Sequence, residues 1–207
     1  MTSRQLSPLL VALLVAAQPC LTAANPVDRL GVYWGVGSTT RSFVGTESMR
    51  NLNTGRVWGW AVGGYVDWSL PGDRLCLATE MMYIEKGYSR EVVSLHGTLE
   101  TTESRNQYLS LPFLVTYDLL DGRCTPYVFG GPSAEVLMSE GGTYGQGLWN
   151  LGVHLGAGVR WRGLEMHLRY IRDLTEATGG SPSGLRGVEN HGIVLAVGVG
   201  ISRAQRE

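Results

Sequence analysis

Eight stretches of this chain alternate between apolar residues and small or polar ones, and the links between them alternate strictly between long and short. A period of two residues is typical of a β-strand with two different faces. The chain is therefore predicted to be all-β and antiparallel. The eight predicted strands cover about residues 29–38, 56–70, 75–86, 107–119, 125–138, 148–161, 164–173 and 191–202.

The short links are rich in turn-forming residues and all fall at one end of the predicted sheet. They cover residues 71–74, 120–124 and 162–163. The longer polar links fall at the other end and cover residues 39–55, 87–106, 139–147 and 174–190. Short periplasmic turns, longer extracellular loops and an even number of strands are typical of an up-and-down transmembrane β-barrel of the bacterial outer membrane.

The two faces of the strands indicate which side is buried. In the stretch 164–173, Glu165 and His167 alternate with Leu164 and Met166, so the charged residues and the large apolar residues lie on opposite faces of the strand. In the strands 148–161 and 191–202 the glycines oppose the large apolar residues in the same way. A soluble barrel would place large apolar residues inside and charges outside. A transmembrane barrel, with lipid outside and a narrow polar interior, resolves the pattern.

The tryptophans mark both ends of two strands. Trp58 and Trp60 begin the second predicted strand and Trp68 lies near its end, while Trp149 and Trp161 bracket the sixth. Ten to twelve tilted residues at ~3.3 Å each span roughly 25–30 Å, which is the height of the apolar band between aromatic girdles. These five residues are therefore predicted to form the two girdles.

The chain ends and the charge balance restrict location and partners. Residues 1–24 read as a cleaved signal peptide, with Arg4, the apolar run 9–17 and the small-residue exit 21–24. The barrel is predicted over 25–202, with 203–207 as a polar tail. The 17 basic and 18 acidic residues nearly cancel and form no basic cluster, so nucleic acid is excluded as an expected partner.

Three ordered segments carry a family resemblance. They read EMMYIEKG at 80–87, YLSLPFLVTY at 108–117 and PYVFGGPS at 126–133. The chain resembles the PorT-like outer membrane protein beta-barrel domain family, in which YxEKG, YLxIPxLxKY and PYxxxGPS occur in this order. The resemblance covers essentially the whole mature chain and implies an outer membrane location. One family member acts in type IX secretion, so envelope or secretion proteins are expected partners besides the lipid bilayer.

Charged and polar side chains on the small-residue face are predicted to form a network that plugs the lumen, because eight strands leave room only for the barrel's own side chains. Placing Glu135 inward requires a bulge near Gly131 and Pro132. The predicted lumen residues are Glu80, Glu135, His154, Arg160, Glu165, His167 and Arg169.

Catalytic, metal and disulfide alternatives rest on few residues. His154 and His167 lie on adjacent strands, but no Gly-x-Ser-x-Gly motif or further set of ligands accompanies them. No catalytic site, metal or cofactor is therefore predicted. Cys76 and Cys124 both lie at the short-turn end, on strands about 9–10 Å apart, whereas a disulfide tolerates about 7 Å. Whether they are bridged or free stays open.

The expected function follows from these features. The sequence predicts a non-enzymatic integral outer membrane barrel with a plugged polar lumen and a structural or interaction role in the cell envelope. The alternatives are a small solute or ion channel, an outer membrane lipid hydrolase and a soluble lipocalin-like binder.

Overall fold

The structure of the protein is a computed structural model, which describes residues 27–44, 54–70, 74–93, 99–139, 149–174 and 187–202. The predicted signal peptide 1–24 and polar tail 203–207 lie outside these residues. The strands are β1 (Arg29–Val44), β2 (Thr54–Gly55), β3 (Val57–Ser69), β4 (Leu75–Val93), β5 (Leu99–Asp118), β6 (Cys124–Ser139), β7 (Trp149–Trp161), β8 (Leu164–Asp173) and β9 (Gly187–Ser202).

Eight of these strands close into a ring. Every pair is antiparallel, and the order is β4-β3-β1-β9-β8-β7-β6-β5, with β5 returning to β4. The two-residue β2 pairs with β4 at Arg90 and Ser89, beside the start of β3. The predicted eight-stranded antiparallel barrel is therefore confirmed. Within the described ranges, no helix is long and apolar enough to cross a membrane.

Four strands extend further toward the long links than the sequence predicted. β1 and β9 stay paired out to Val44 and Gly187, and β4 and β5 stay paired out to Val93 and Leu99. The predicted loops 39–55, 87–106 and 174–190 are correspondingly shorter. The period of two fades in these extensions because Ser, Thr, Glu and Arg occur on both faces, while the backbone ladder continues regardless of side-chain polarity.

The exposure pattern is inverted relative to a soluble barrel, as predicted. Along β8 every second residue, beginning with Leu164, is exposed and every intervening residue, beginning with Glu165, is buried. The exposed set on β9 is equally apolar and includes Ile193, Leu195 and Val197. The outer surface of the barrel is therefore a continuous apolar belt, which fits a lipid environment.

The interior combines charged groups with apolar side chains. The larger apolar cluster consists of Tyr33, Ala61, Tyr65, Met82, Ile84, Tyr108, Ile171, Val194 and Ala196. The smaller cluster consists of Ala78, Leu114, Tyr127 and Phe129.

The bulge predicted at Gly131 and Pro132 is wrong. The register of β6 with β7 is unbroken through these two residues, so Glu135 faces inward without an inserted residue. Tyr127 and Phe129 share that inward face and are buried, so the alternation of β6 is continuous. The irregularity in this part of the sheet lies instead on the other side of β6, between Gln107 and Tyr108 of β5.

A charged network inside the barrel as the candidate functional site

Arg160 organises the charged groups at the short-turn end. From β7 its Nη1 donates a hydrogen bond to Asp118 on β5 at 2.6 Å. Asp67 on β3 and Glu165 on β8 each place a carboxylate oxygen 3.7 Å from its guanidinium. The guanidinium carbon also lies 3.9 Å from the ring centre of Tyr127, within cation–π range. One buried cation thus links side chains from four strands.

Glu165 is held by two phenols. The hydroxyl of Tyr65 donates to its Oε2 at 2.8 Å, and the hydroxyl of Tyr127 donates to its Oε1. His167 Nδ1 lies 3.4 Å from the same Oε1 atom. A carboxylate with this many partners is fixed in position, because each of its oxygens is already engaged by a donor.

Arg169 and Glu80 form the central ion pair. The guanidinium donates through Nη1 at 2.7 Å and through Nη2 at 2.9 Å to the two carboxylate oxygens, a bidentate arrangement. Tyr33 adds a hydroxyl hydrogen bond to Glu80 at 2.8 Å. The ring centre of Phe129 lies 5.1 Å from the guanidinium carbon, and His154 Nδ1 lies 3.3 Å from Nη1. Aromatic rings and an imidazole nitrogen therefore surround the pair.

Lys86 forms the third cluster, toward the loop end. Its Nζ lies 2.6 Å from Glu135 and 2.7 Å from Asp173, so one ammonium group is shared by two carboxylates. Asn190 donates to Asp173 at 2.6 Å and accepts a hydrogen bond from Arg41 Nε at 2.9 Å. The cluster thus extends from the barrel interior into the lengthened β1–β9 ladder.

These charged side chains fill the middle of the barrel. Arg169, Glu135 and Asp173 are each 1% exposed or less, and Lys86 is 2% exposed. The cavity between the Arg160 and Arg169 clusters measures about 10 Å³, whereas one water molecule needs ~10–15 Å³. Charges this deeply buried are tolerated only when paired, so the pairing accounts for how a charged interior can be stable.

The seven predicted lumen residues all lie inside the barrel, but they do not form one group. Arg160, Glu165 and His167 belong to the short-turn cluster. Glu80 and Arg169 form the central pair. Glu135 belongs to the loop-end cluster. His154 lies between the central pair and the loop-end cluster, and its Nε2 is 3.7 Å from Glu135.

Sequence reasoning missed several members of the network. Lys86 and Asp67 alternate in phase with inward residues of their own strands, so the period of two contained the signal that places them inside. Arg41 and Asn190 lay in segments predicted to be loops, where no such signal was available. The missed residues are Tyr33, Arg41, Tyr65, Asp67, Lys86, Ser110, Asp118, Tyr127, Asn150 and Asn190.

The tryptophans of the proposed girdles lie on the outer surface. Trp58, Trp60, Trp149 and Trp161 are exposed there, and Trp68 is half-buried. A sixth tryptophan, Trp34, was not among the predicted girdle residues. It is exposed on the outer surface in the middle of β1, opposite Val62 and Val197. Apolar aromatic surface therefore occurs between the strand ends as well as near them.

The disulfide considered between Cys76 and Cys124 is not formed, and both cysteines are free. Cys76 is buried on the inward face of β4, whereas Cys124 is exposed at the start of β6. The strand β5 lies between them. The two thiols therefore point to opposite sides of the sheet as well as being a strand apart.

The two histidines are enclosed by other side chains. His154 is fully buried and its ring nitrogens lie near Arg169 and Glu135. His167 is 3% exposed and packs edge-on against the rings of Tyr33 and Phe129. Across the residues that the structure describes, no three His, Cys, Asp or Glu side chains come together as potential metal ligands.

Comparison with known proteins places the chain in a family. The profile described as "Outer membrane protein beta-barrel domain" matches residues 28–179. Among curated proteins, none matches the sequence significantly. The outer membrane enzyme PagL has a similar structure at a TM-score of 0.50, with 16% identity over 80% of this chain and 97% of PagL.

Two further solved structures are similar at lower scores. The outer membrane protein OprG from Pseudomonas aeruginosa has a TM-score of 0.49 and 11% identity, covering 86% of this chain and 98% of OprG. Neisserial surface protein A has a TM-score of 0.45 and 13% identity, covering 82% of this chain and 96% of its own. At 16% identity, the similarity to PagL indicates a shared fold and does not indicate a shared activity.

Proposed function

Because this chain belongs to the outer membrane protein beta-barrel domain family and resides in the outer membrane, we propose that it is a non-enzymatic barrel whose lumen is closed by its own ion pairs. In this function the barrel is a rigid anchor, and the surfaces at its two ends contact other components of the envelope. The short turns face the periplasm and the longer links face outward.

The observation that carries the proposal is the filling of the interior by paired charges. The clusters around Arg160, Arg169 and Lys86 occupy successive levels between the two ends of the barrel. The cavity between the first two is no larger than one water molecule. A solute would have to break a bidentate or shared ion pair to pass, and breaking a buried pair costs about 3–5 kcal/mol.

The surroundings of the two buried histidines support a non-enzymatic role. A catalytic histidine must reach a nucleophile and be reached by substrate. His154 and His167 instead contact Arg169, Glu135, Glu165 and aromatic rings deep in the lumen. Their role in this proposal is to fill space and complete the packing between charged clusters.

The lengthened ladders at the loop end supply the contact surface. The β4–β5 hairpin continues from Gly87 and Arg105 out to Val93 and Leu99, and exposed residues there include Glu91 and Thr101. Polar surfaces on a rigid barrel are suited to recognition. The PorT-like resemblance makes a secretion or other envelope protein the partner that we propose.

Site-specific photo-crosslinking tests the interaction role. A photoreactive residue at Thr101, in the hairpin extension, is expected to give a discrete crosslinked envelope protein in intact cells. The same residue at Leu195, in the apolar belt, is the matched control and is expected to give none. Equal crosslinking at both positions, or none at Thr101 and at its neighbours in 100–103, would overturn the proposal.

A small channel is the second candidate, favoured by one observation. The three clusters form a series of charged groups from the short-turn end to the loop end, so an ion could move between them if pairs exchanged partners. Recordings in planar bilayers decide between the two functions. The plugged barrel predicts no discrete currents, whereas the channel predicts currents that vanish in Glu80→Gln or Arg160→Gln.

A further inference from the structure

A second, larger cavity lies at the short-turn end of the barrel. Its volume is about 220 Å³, far above the ~10–15 Å³ that one water molecule needs. This is enough for a small polar group and below the ~300–1,000 Å³ of most sites for larger ligands. The lining residues are Arg29, Tyr65, Gly122, Arg123, Thr125, Arg160, Arg162, Gly163, Leu164, Glu165 and Gly200.

The lining is strongly cationic, with four arginines and one carboxylate. The carboxylate, Glu165, already accepts hydrogen bonds from Tyr65 and Tyr127 and lies beside Arg160. It is therefore not a free counter-ion for the rest of the cavity.

Two of the lining arginines, Arg123 and Arg162, have no acidic partner among the residues described, whereas Arg29 lies opposite Asp67 in the β1–β3 ladder. In the described part of the chain, no carboxylate lies within 4.0 Å of Arg29, Arg123 or Arg162, whereas Arg160 has three such neighbours. The exposed arginines Arg74, Arg105 and Arg172 also have a carboxylate each. The lining thus carries more arginines than its single carboxylate can pair with.

The position of Arg29 shows that the cavity lies at the opening of the lumen at the short-turn end. Its side chain lies across the inner face of β9, where a methyl group on Gly200 would come 3.2 Å from Arg29 Cδ. Arg160 lies deeper and is 8% exposed. Leu164, also in the lining, is exposed on the outer surface, and Arg162 stands 5.8 Å from the Trp161 ring. The cavity is therefore bounded by both lumen and lipid-facing residues.

We propose that this cavity binds a phosphate group. Planar guanidinium groups bind phosphate oxygens in pairs of parallel hydrogen bonds. A concave site with low-dielectric walls and charges of one sign also concentrates anions of the opposite sign. A phosphate carries up to two negative charges, which a lining of four arginines and one carboxylate can neutralise. The phosphate belongs either to a free solute or to a phospholipid headgroup that reaches the cavity past Leu164 and Arg162.

Titration calorimetry on the full mature chain tests the site. The barrel is purified in an uncharged, phosphate-free detergent and titrated with inorganic phosphate at low salt, with chloride as the control anion. Saturable phosphate binding is expected. Arg29→Gln and Arg123→Gln are each expected to weaken it about tenfold or more, because each removes a charge-assisted pair.

Arg74→Gln is the matched control. It lies at the same end, is exposed and pairs with Asp121, but it does not line the cavity. Unchanged phosphate binding is expected for this variant. Lack of saturable binding by the unaltered protein, or equal weakening by Arg74→Gln, would overturn the proposal. A heat-shifted gel band for each variant establishes that the barrel is intact.

The source of the phosphate is resolved by repeating the titration in lipid nanodiscs. If a phospholipid headgroup is the ligand, nanodiscs of phosphatidylglycerol compete with added phosphate, whereas nanodiscs of an uncharged glycolipid do not. If a free solute is the ligand, added phosphate binds equally in both. Because these outcomes do not depend on conductance or crosslinking, they separate this site from the proposed function.

Discussion

The guanidinium of Arg169 on β8 forms a bidentate pair with the carboxylate of Glu80 on β4. Three strands separate β8 from β4 in one direction around the ring, and three separate them in the other. The two side chains therefore come from opposite walls and meet across the lumen. This pair ties the walls of the barrel together at mid-height, and it exists only when the ring is closed.

Removing one member of this pair is expected to destabilise the barrel strongly. Arg169→Met leaves Glu80 buried without its cation, which costs about 3–5 kcal/mol of unfolding free energy. Urea unfolding in detergent micelles measures the change. The double variant Glu80→Leu with Arg169→Met is expected to recover most of the loss, since no unpaired charge remains.

An exposed ion pair supplies the control for this experiment. Arg105 and Glu103 are 3.1 Å apart, and both side chains are about half exposed. Arg105→Gln is expected to change the unfolding free energy by less than about 1 kcal/mol, because water screens the pair. If Arg169→Met lowered the unfolding free energy no more than Arg105→Gln does, the conclusion that Arg169 stabilises the barrel through a buried ion pair would be contradicted.

The inward glycines of β7 make room for aromatic rings from β6. A methyl group on Gly158 would lie 2.5 Å from Cζ of Tyr127 and 2.7 Å from the carbonyl oxygen of Met166. Gly158→Ala is therefore expected to displace Tyr127 from Glu165 and to cost about 1–3 kcal/mol of unfolding free energy, measured by urea unfolding.

The outward Gly64 of β3 is the matched control. A methyl group there would find no neighbour closer than 3.5 Å, so Gly64→Ala is expected to be tolerated. If Gly158→Ala were tolerated equally, the ring of Tyr127 would not lie over β7 as described.

The apolar belt predicts a depth-dependent response to charge. Leu195 is exposed between Val36 and Leu168 in the middle of the belt. Leu195→Arg is expected to cost about 2–4 kcal/mol of folding free energy in a bilayer, whereas Trp58→Arg near the strand end costs about 0–1 kcal/mol from the charge itself. The folded fraction after refolding into vesicles, read from the heat-shifted gel band, measures both. Equal folded fractions would contradict the placement of the belt.

The two barrel cysteines are expected to differ in reactivity. In the mature barrel, a bulky maleimide should label Cys124 in the folded state, because that side chain is exposed, and Cys76 only after unfolding, because it is buried. Gel shifts before and after denaturation count the labelled thiols. Labelling that requires prior reduction would instead indicate a disulfide.

The sequence alone determined the number of strands in the ring, the position of the tight turns and the face on which each side chain of 164–173 or 191–202 lies. These features depend on local properties, because alternation is set by the pleat and turns by residues such as those at 71–74 and 162–163. The alternation of inward and outward residues could also have placed Lys86 and Asp67 inside the barrel. It could not find Arg41 or Asn190, whose strands extend through segments without apolar alternation.

Only the tertiary structure decided which inward residues meet. The period of two gives the direction of a side chain but not its height in the barrel or its neighbour on the opposite wall. Strand tilt and stagger fix both once the ring closes. That is why Glu135 pairs with Lys86 rather than with Arg160, and why Cys76 and Cys124 stay apart. Arg160 and Glu165 are already neighbours in the β7–β8 hairpin, but the pairs that span the lumen, Arg169 with Glu80 and Lys86 with Glu135, are a consequence of closure that no local segment contains.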